Sequence, residues 1–249
     1  MWLGEVVHKA IKYSIQHRKE LDKEFVIASL GRRLARDYSV SRSFTIKTAK
    51  AKDFWLFEHY RNAEIDFDAL VEKGTACIRN FFDSGIYQEL LEVEDSQILY
   101  LDEGDIERMK FPMEGFNIYA IPDLCYRNAG GIIRLVDWKT GRVPEGELTP
   151  QLQVYALRLS IMDQLDPDKN EIHAHAVYLH DGIEKGRRVG MEDLGLIRTK
   201  ARQSISEMQC CLQDIPANSP KDVTHFPKTE HSKKCKSCVY QEVCEGDQF

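Results

Sequence analysis

No stretch of the chain is apolar for long enough to cross a bilayer, and the N-terminus lacks the apolar core of a secretory signal. These absences make the cytoplasm the expected compartment and argue against a membrane partner. Basic residues do not predominate either. The formal net charge is −6, which excludes a uniformly basic nucleic-acid coat and confines any such contact to local patches. Seven cysteines in 249 residues are too sparse and too unevenly placed for a disulfide scaffold. Internal repeats and low-complexity tracts are also lacking. What remains, with 43% hydrophobic and 30% charged residues, is an ordinary globular composition. The length suits one medium domain with an elaborated insert and a substantial core.

The most informative stretch runs from Gly131 through Ile132, Ile133, Arg134, Leu135, Val136, Asp137, Trp138, Lys139 and Thr140 to Gly141. Apolar residues at both parities predict a strand covered on both faces. The side-chain period of two puts Asp137 and Lys139 on one face and Trp138 on the other. A charged pair at the end of such a strand is costly to bury unless it is paired or coordinates a metal. Upstream, Phe116 to Leu124 reads as a second strand, and Asn128 to Gly131 as the turn between the two. An antiparallel hairpin closed there brings Asp123 beside Asp137. Carboxylates and a lysine on one sheet face make a divalent-metal hydrolytic site plausible; a strand-end salt bridge is the simpler alternative.

Elsewhere helical periodicity dominates. Trp2 to about Glu20 carries an apolar stripe through Leu3, Val6, Val7, Ala10, Ile11 and Ile15, with Gly4 and His8 together on another face. Leu21 to about Gly85 is largely helical, most clearly from Asp66 to Phe82, where Cys77 sits on the apolar stripe as a small core hydrophobe. Arg32, Arg33, Arg36, Lys47, Lys50 and Lys52 concentrate positive charge there, as a solvated face or as a phosphate-tracking patch. Ile98 to Leu101 reads as a short strand, Arg142 to Glu147 as a loop, and Gln151 to about Leu165 as a helix. In that helix Gln151 and Tyr155 share a face. Glu171 to His180 alternates as a strand with structural or exposed His173 and His175; Ile183 to Val189 returns beside it, and Met191 to Leu212 is a long helix.

The tail from Pro216 to Phe249 is loop-rich and carries Cys235, Cys238 and Cys244, a spacing that lets thiolates converge on one metal centre. Zinc and iron–sulfur sites normally take four ligands, so these cysteines form an incomplete set.

Taken together, the motifs resemble the PD-(D/E)XK nuclease superfamily, in particular its RecB-like branch with a C-terminal iron–sulfur motif. The matching pieces run in the family's order over nearly the whole chain: Gly4-x-x-x-His8, Pro122-Asp123, Asp137-Trp138-Lys139-Thr140-Gly141, Gln151-x-x-x-Tyr155, then Cys235, Cys238 and Cys244. The resemblance implies that His8, Asp123, Asp137 and the backbone carbonyl of Trp138 bind Mg²⁺ or Mn²⁺, and that Asp123, Asp137 and Lys139 form the catalytic set. Lys139 then orients the attacking water and offsets developing charge. Gln151 and Tyr155 support the site and contact the nucleic-acid strand. Hard oxygen ligands suit Mg²⁺, and the imidazole of His8 makes Mn²⁺ acceptable. One departure stands out. The family's fourth cluster cysteine lies just upstream of Gly4, where this chain has none. The expectation is a sequence that starts late; Cys77, Cys125, Cys210, Cys211 and His231 are the alternatives within it, with zinc in place of the cluster if His231 serves.

The expected fold is α/β: a restriction-endonuclease-like core with a mixed central sheet flanked by helices, over residues 1–215. A helical insertion occupies about residues 21–107, and a cysteine-rich tail over 216–249 binds the cluster and packs on the same domain. The expected function is metal-dependent hydrolysis of DNA phosphodiesters, of exonuclease type, on single strands or duplex ends. DNA repair, recombination or CRISPR adaptation would be its setting, with a helicase or other repair proteins as partners. The alternative is an inactive nuclease-like DNA-binding module with a structural metal or iron–sulfur tail.

Overall fold

The computed structural model describes residues 2–45, 47–50, 52–61, 63–102, 106–143, 150–230, 235, 238, 240, 241 and 244, with the backbone alone at 106 and 108. The loop expected after Arg142 falls mostly outside the described residues, and so does His231. The chain forms two compact units, Met1–Thr199 and Lys200–Phe249.

The first unit opens with α1 (Trp2–Gln16), α2 (Lys23–Arg42), the single turn α3 (Phe57–Tyr60), α4 (Phe67–Asp83) and α5 (Gly85–Leu91). The caps follow from sequence. Asp22, Asp66 and Ser84 each accept a backbone N–H of the first turn of α2, α4 and α5. Helix α1 ends at Gln16, sooner than the boundary expected near Glu20, and just beyond it the buried Arg18 turns inward. Its guanidinium donates to the carbonyls of Ile15, Leu90 and Val93 and to Asp95.

Strands follow: β1 (Ile98–Leu101), β2 (Lys110–Met113), β3 (Phe116–Tyr119), β4 (Leu124–Arg127) and β5 (Ile133–Lys139). After the crossover helix α6 (Pro150–Met162) come β6 (Ile172–Tyr178), β7 (Ile183–Val189) and α7 (Met191–Gln209). The central sheet has five strands in the order β1-β4-β5-β6-β7, with β5 and β6 parallel and the other neighbours antiparallel. This mixed sheet flanked by helices is the architecture of the restriction-endonuclease-like fold. On one face Leu124, Tyr126, Val136, Trp138, Val177 and Leu179 join a single core with the helices that precede the sheet. Phe81 meets Trp138 edge-on with centroids 5.4 Å apart, a geometry worth about 0.5–1.5 kcal/mol beyond burial. Helix α6 packs on β5 and β6.

The single strand expected from Phe116 to Leu124 is instead two. β3 pairs with β2 in a separate hairpin, and β4 joins the central sheet. Pro122, lacking an N–H, lies in the break between them. The break has a consequence for the site: Asp123 lies immediately before β4.

In the second unit, the remainder of α7 leads to the hairpin β8 (Leu212–Asp214) and β9 (Ser219–Pro220). Among the described residues, no helix is long and apolar enough to cross a membrane.

Candidate active site

The β4–β5 hairpin sets Leu124 against Val136, so one further step along the ladder puts Asp123 opposite Asp137. Asp137 and Lys139 project from the same face of β5, as the strand period requires, and Lys139 Nζ lies 2.6 Å from Asp137 Oδ2. Trp138 points away into the core, 2% exposed. Its backbone serves the site: the Trp138 N–H donates to Asp123 Oδ2 at 2.7 Å.

Helix α1 brings His8 to the same place, with Nδ1 3.2 Å from Asp123 Oδ1. The ring is also hydrogen-bonded to the backbone of Trp138 in the sense that raises its pKa, so it is the Trp138 carbonyl that faces His8. Burial lowers the His8 pKa, but the bond to Asp123 and the charges of Asp123 and Asp137 outweigh it and leave the imidazole above its ordinary value. Gly4 explains how the helix comes so close. A Cβ there would lie 3.2 Å from Thr140 Oγ1, so the backbone of α1 rests against the segment just after Lys139. Sequence periodicity shows Gly4 and His8 on one face of the helix; the contact with Thr140 is what that pairing accomplishes.

On the far side, Gln151 Oε1 accepts from Lys139 Nζ at 2.7 Å, and Gln151 Nε2 donates to the hydroxyl of Tyr155. The Tyr155 phenol is pushed up by burial and by the carboxylates of Asp137 and Asp123. Asp137 is the most confined group of the set. Burial and then the neighbouring Asp123 push its carboxyl from 3.8 to about 6, against the opposing pull of Lys139 and His8.

His8, Asp123, Asp137, Trp138, Lys139, Gln151 and Tyr155 are therefore in one connected cluster at one end of the sheet. Two neighbours escaped the sequence reading. Lys12, one turn beyond His8, donates to the carbonyl of Asp102 at 2.6 Å, and the Asp102 N–H donates to the carbonyl of Asp123 at 2.9 Å. Nothing in the local sequence signals that contact, because it depends on where α1 crosses the sheet edge.

The chain fits one family model, that of the PD-(D/E)XK nuclease superfamily, over residues 2–245. It belongs to that superfamily. No curated protein matches it. Membership points to a metal-dependent nuclease acting on DNA, and PD-(D/E)XK nucleases typically use Mg²⁺.

The side chains suit such an ion in kind. His8, Asp123 and Asp137 supply two carboxylates and an imidazole, and Asp137 Oδ2 is buried with no hydrogen-bond donor, although the Lys139 ammonium is adjacent. They are not drawn into a closed cage: among the described residues no group of three His, Cys, Asp or Glu is placed to hold an ion. Each is instead engaged by a neighbour, Asp137 by Lys139 and Asp123 by His8 and the Trp138 N–H.

The cysteines separate into different settings. Cys77 and Cys125 are fully buried in the first unit. Burial raises the Cys77 thiol to about 11 and pushes Cys125 up further. In the second unit Cys210, Cys211 and Cys244 are exposed, while Cys235 and Cys238 are partly covered. Cys238 N–H donates to the Cys235 carbonyl at 3.1 Å, a turn between neighbouring thiols. His173 and His175, expected as structural or exposed, face charged neighbours on β6. His175 is buried between Arg134 and Glu184, and His173 lies beside Glu171.

Proposed function

We propose that this chain is a divalent-metal-dependent deoxyribonuclease that hydrolyses phosphodiester bonds at the Asp123–Asp137–Lys139 cluster. The observation that carries the reading is the convergence of two carboxylates, a lysine held by a glutamine, and an imidazole at one end of the sheet. His8, Asp123, Asp137 and the Trp138 carbonyl are the groups that would hold Mg²⁺ or Mn²⁺. When bound, the ion polarises the phosphoryl group and lowers the pKa of water. The protein's own part is positional and electrostatic. Lys139, fixed between Asp137 and Gln151, presents an ammonium where negative charge grows on the phosphoryl oxygens, in a site partly shielded from water. Gln151 holds Lys139 in that position and Tyr155 holds Gln151. The N–H of Trp138 keeps Asp123 turned toward the site.

Action on single strands or duplex ends, a setting in repair, recombination or CRISPR adaptation, and a helicase partner follow from the RecB-like resemblance. So does the reading of Cys235, Cys238 and Cys244 as iron–sulfur ligands, with Cys210 or Cys211 as candidates for the fourth and zinc as the alternative metal. That reading rests on spacing and resemblance alone. Iron and zinc analysis of anaerobically purified protein, with its visible absorption, decides it: colourless protein without iron excludes the cluster.

The competing reading is a nucleic-acid-binding module with a decayed site, which draws on the same lack of a closed cage. The completeness of the ligand, lysine and glutamine set speaks against it. The deciding experiment is cleavage of labelled single-stranded and duplex DNA with Mg²⁺ or Mn²⁺ beside Lys139→Ala. Cleavage that needs metal and is lost in the variant, with folding and DNA binding nearly intact, supports the nuclease. A folded wild-type chain that binds DNA and cleaves none supports the module.

A further inference from the structure

Helices α1 and α2 leave between them a groove of about 380 Å³ that no motif anticipates, lined by Val6, Lys9, Tyr13, Phe25, Leu30 and Arg33 among others. Its floor is apolar and buried: Val26 is 3% exposed and Leu30 2%. Its walls are aromatic and open to solvent, with Phe25 49% and Tyr13 48% exposed. Tyr13 lies against the ring of His17, with centroids 4.4 Å apart. The only charged side chains of the lining are Lys9 and Arg33, both cations, in a chain whose net charge is −6. Their carboxylate partners lie outside the lining. Lys9 pairs with Glu5 on the exposed surface at 2.5 Å, an interaction worth little and open to exchange. Arg33 is anchored through Nε on the buried Asp37 at 2.6 Å, which fixes the direction of its guanidinium.

The groove and His8 lie on the same helix, separated by its outer strip. The outer strip of α1 carries the exposed Glu5 and Lys9 and the half-buried Lys12. By the helical period, His8 borders one edge of that strip and Tyr13 the other. Tyr13 lies five residues beyond His8 in the sequence, about 7.5 Å along the helix axis at 1.5 Å per residue. Crossing the strip spans about 10 Å, one helix diameter.

We infer that the α1–α2 groove is a base-stacking site for single-stranded DNA, holding unpaired bases of the substrate strand beside the cleavage site. The inference rests on the nuclease reading above. Exposed aromatic faces take any base without regard to sequence, and the flanking cations meet the backbone phosphates. A buried floor under exposed aromatics supplies the apolar surface, and the charged side chains of the lining are both cations.

The test uses full-length Lys139→Ala protein in EDTA, so that binding is read without metal or cleavage. The probes are fluorescein-labelled oligo(dT) and an abasic strand of the same length. Tyr13→Ala with Phe25→Ala should weaken oligo(dT) binding at least about fivefold and leave abasic-strand binding unchanged. Lys9→Ala with Arg33→Ala should lower the slope of log K against log salt by about 1.4 on both strands. Phe25→Trp, which keeps an aromatic wall, should retain affinity and lose indole fluorescence on adding oligo(dT). Unchanged oligo(dT) affinity in the double alanine variant, or an unquenched Phe25→Trp, overturns the inference. Sedimentation of the free proteins distinguishes the other occupant: loss of self-association in the alanine variant without loss of DNA binding assigns the groove to a second copy and also overturns it. Failure of the nuclease reading would appear separately, as wild-type protein inert toward DNA with Mg²⁺ or Mn²⁺.

Discussion

Replacing Asp137 by asparagine should inactivate the protein and, in the absence of metal, stabilise it. The carboxyl is 2% exposed, faces Asp123, and is pushed from 3.8 to about 6 in the folded chain. Between those values the folded protein holds a proton that the unfolded chain has released, so stability contributed by this group falls as pH rises through that window and is level above it. At 1.36 kcal/mol per pKa unit, the ionised side chain disfavours folding by about 3 kcal/mol at pH 8 and by about 1.6 kcal/mol at pH 5. Asparagine has the same shape, keeps an oxygen for the Lys139 ammonium and carries no proton to lose. The variant should therefore gain up to about 3 kcal/mol at pH 8, or about 6–12 °C in Tm, and about 1.4 kcal/mol less at pH 5. The assay is thermal and urea unfolding of both proteins in EDTA at the two pH values, followed by Mg²⁺ titration. A divalent ion present at ten times its Kd should return about 1.4 kcal/mol to the wild type and little to the variant. An asparagine variant no more stable than wild type at pH 8, with a difference that does not move with pH, would refute the claim that this carboxylate is held ionised against its surroundings.

Further perturbations probe the supports of the site. Gly4→Val should push α1 off Thr140, where even a Cβ would sit at 3.2 Å; cleavage should fall about 100-fold, with little change in far-UV circular dichroism. Gly186→Ala places a methyl 2.4 Å from His175 Nδ1; urea unfolding should show a loss of about 1–3 kcal/mol, and stability equal to wild type would mean that the ring is not held there. Glu89 accepts from Tyr126, Asn128 and Arg134, and despite the cost of burial these bonds hold its carboxyl below the ordinary 4.5. That stabilisation is present at neutral pH and disappears as acid protonates the folded carboxyl. Glu89→Gln should therefore be less stable than wild type at pH 7, with a gap that narrows toward pH 3; a gap independent of pH would contradict the assignment.

The elements legible in the sequence are those whose periodicity is complete within one segment. Strand β5 follows from its apolar residues at both parities, β6 from alternation, and helix α4 from its apolar stripe. The continuous strand expected through Phe116 to Leu124 fails because propensity alone cannot show that the chain changes sheets at Ala120 to Asp123. The ladder partners that decide it, Lys110 to Met113 for one half and Ile133 to Val136 for the other, lie on opposite sides in sequence. The inward turn just beyond α1 has a similar cause. Arg18 reads as a surface residue until the carbonyls of Leu90 and Val93, more than seventy positions away, draw it inside.

For the site, the strand period alone predicts the Asp137–Lys139 pair, and the hairpin turn predicts Asp123 opposite. His8 and Gln151 were reached through the family resemblance, since nothing within α1 or α6 indicates which sheet edge each will meet. Trp138 shows how the two levels join. Its side chain is fixed in the core against Phe81, while its N–H holds Asp123 and its carbonyl faces His8. The carboxylate and the imidazole are thus referred to one stretch of main chain that the core cannot release without unpacking an aromatic pair. A site built this way takes its precision from the best-packed part of the sheet, and Lys139, the next residue along, inherits it. The burial that strains Asp137 is the same burial that aims Lys139.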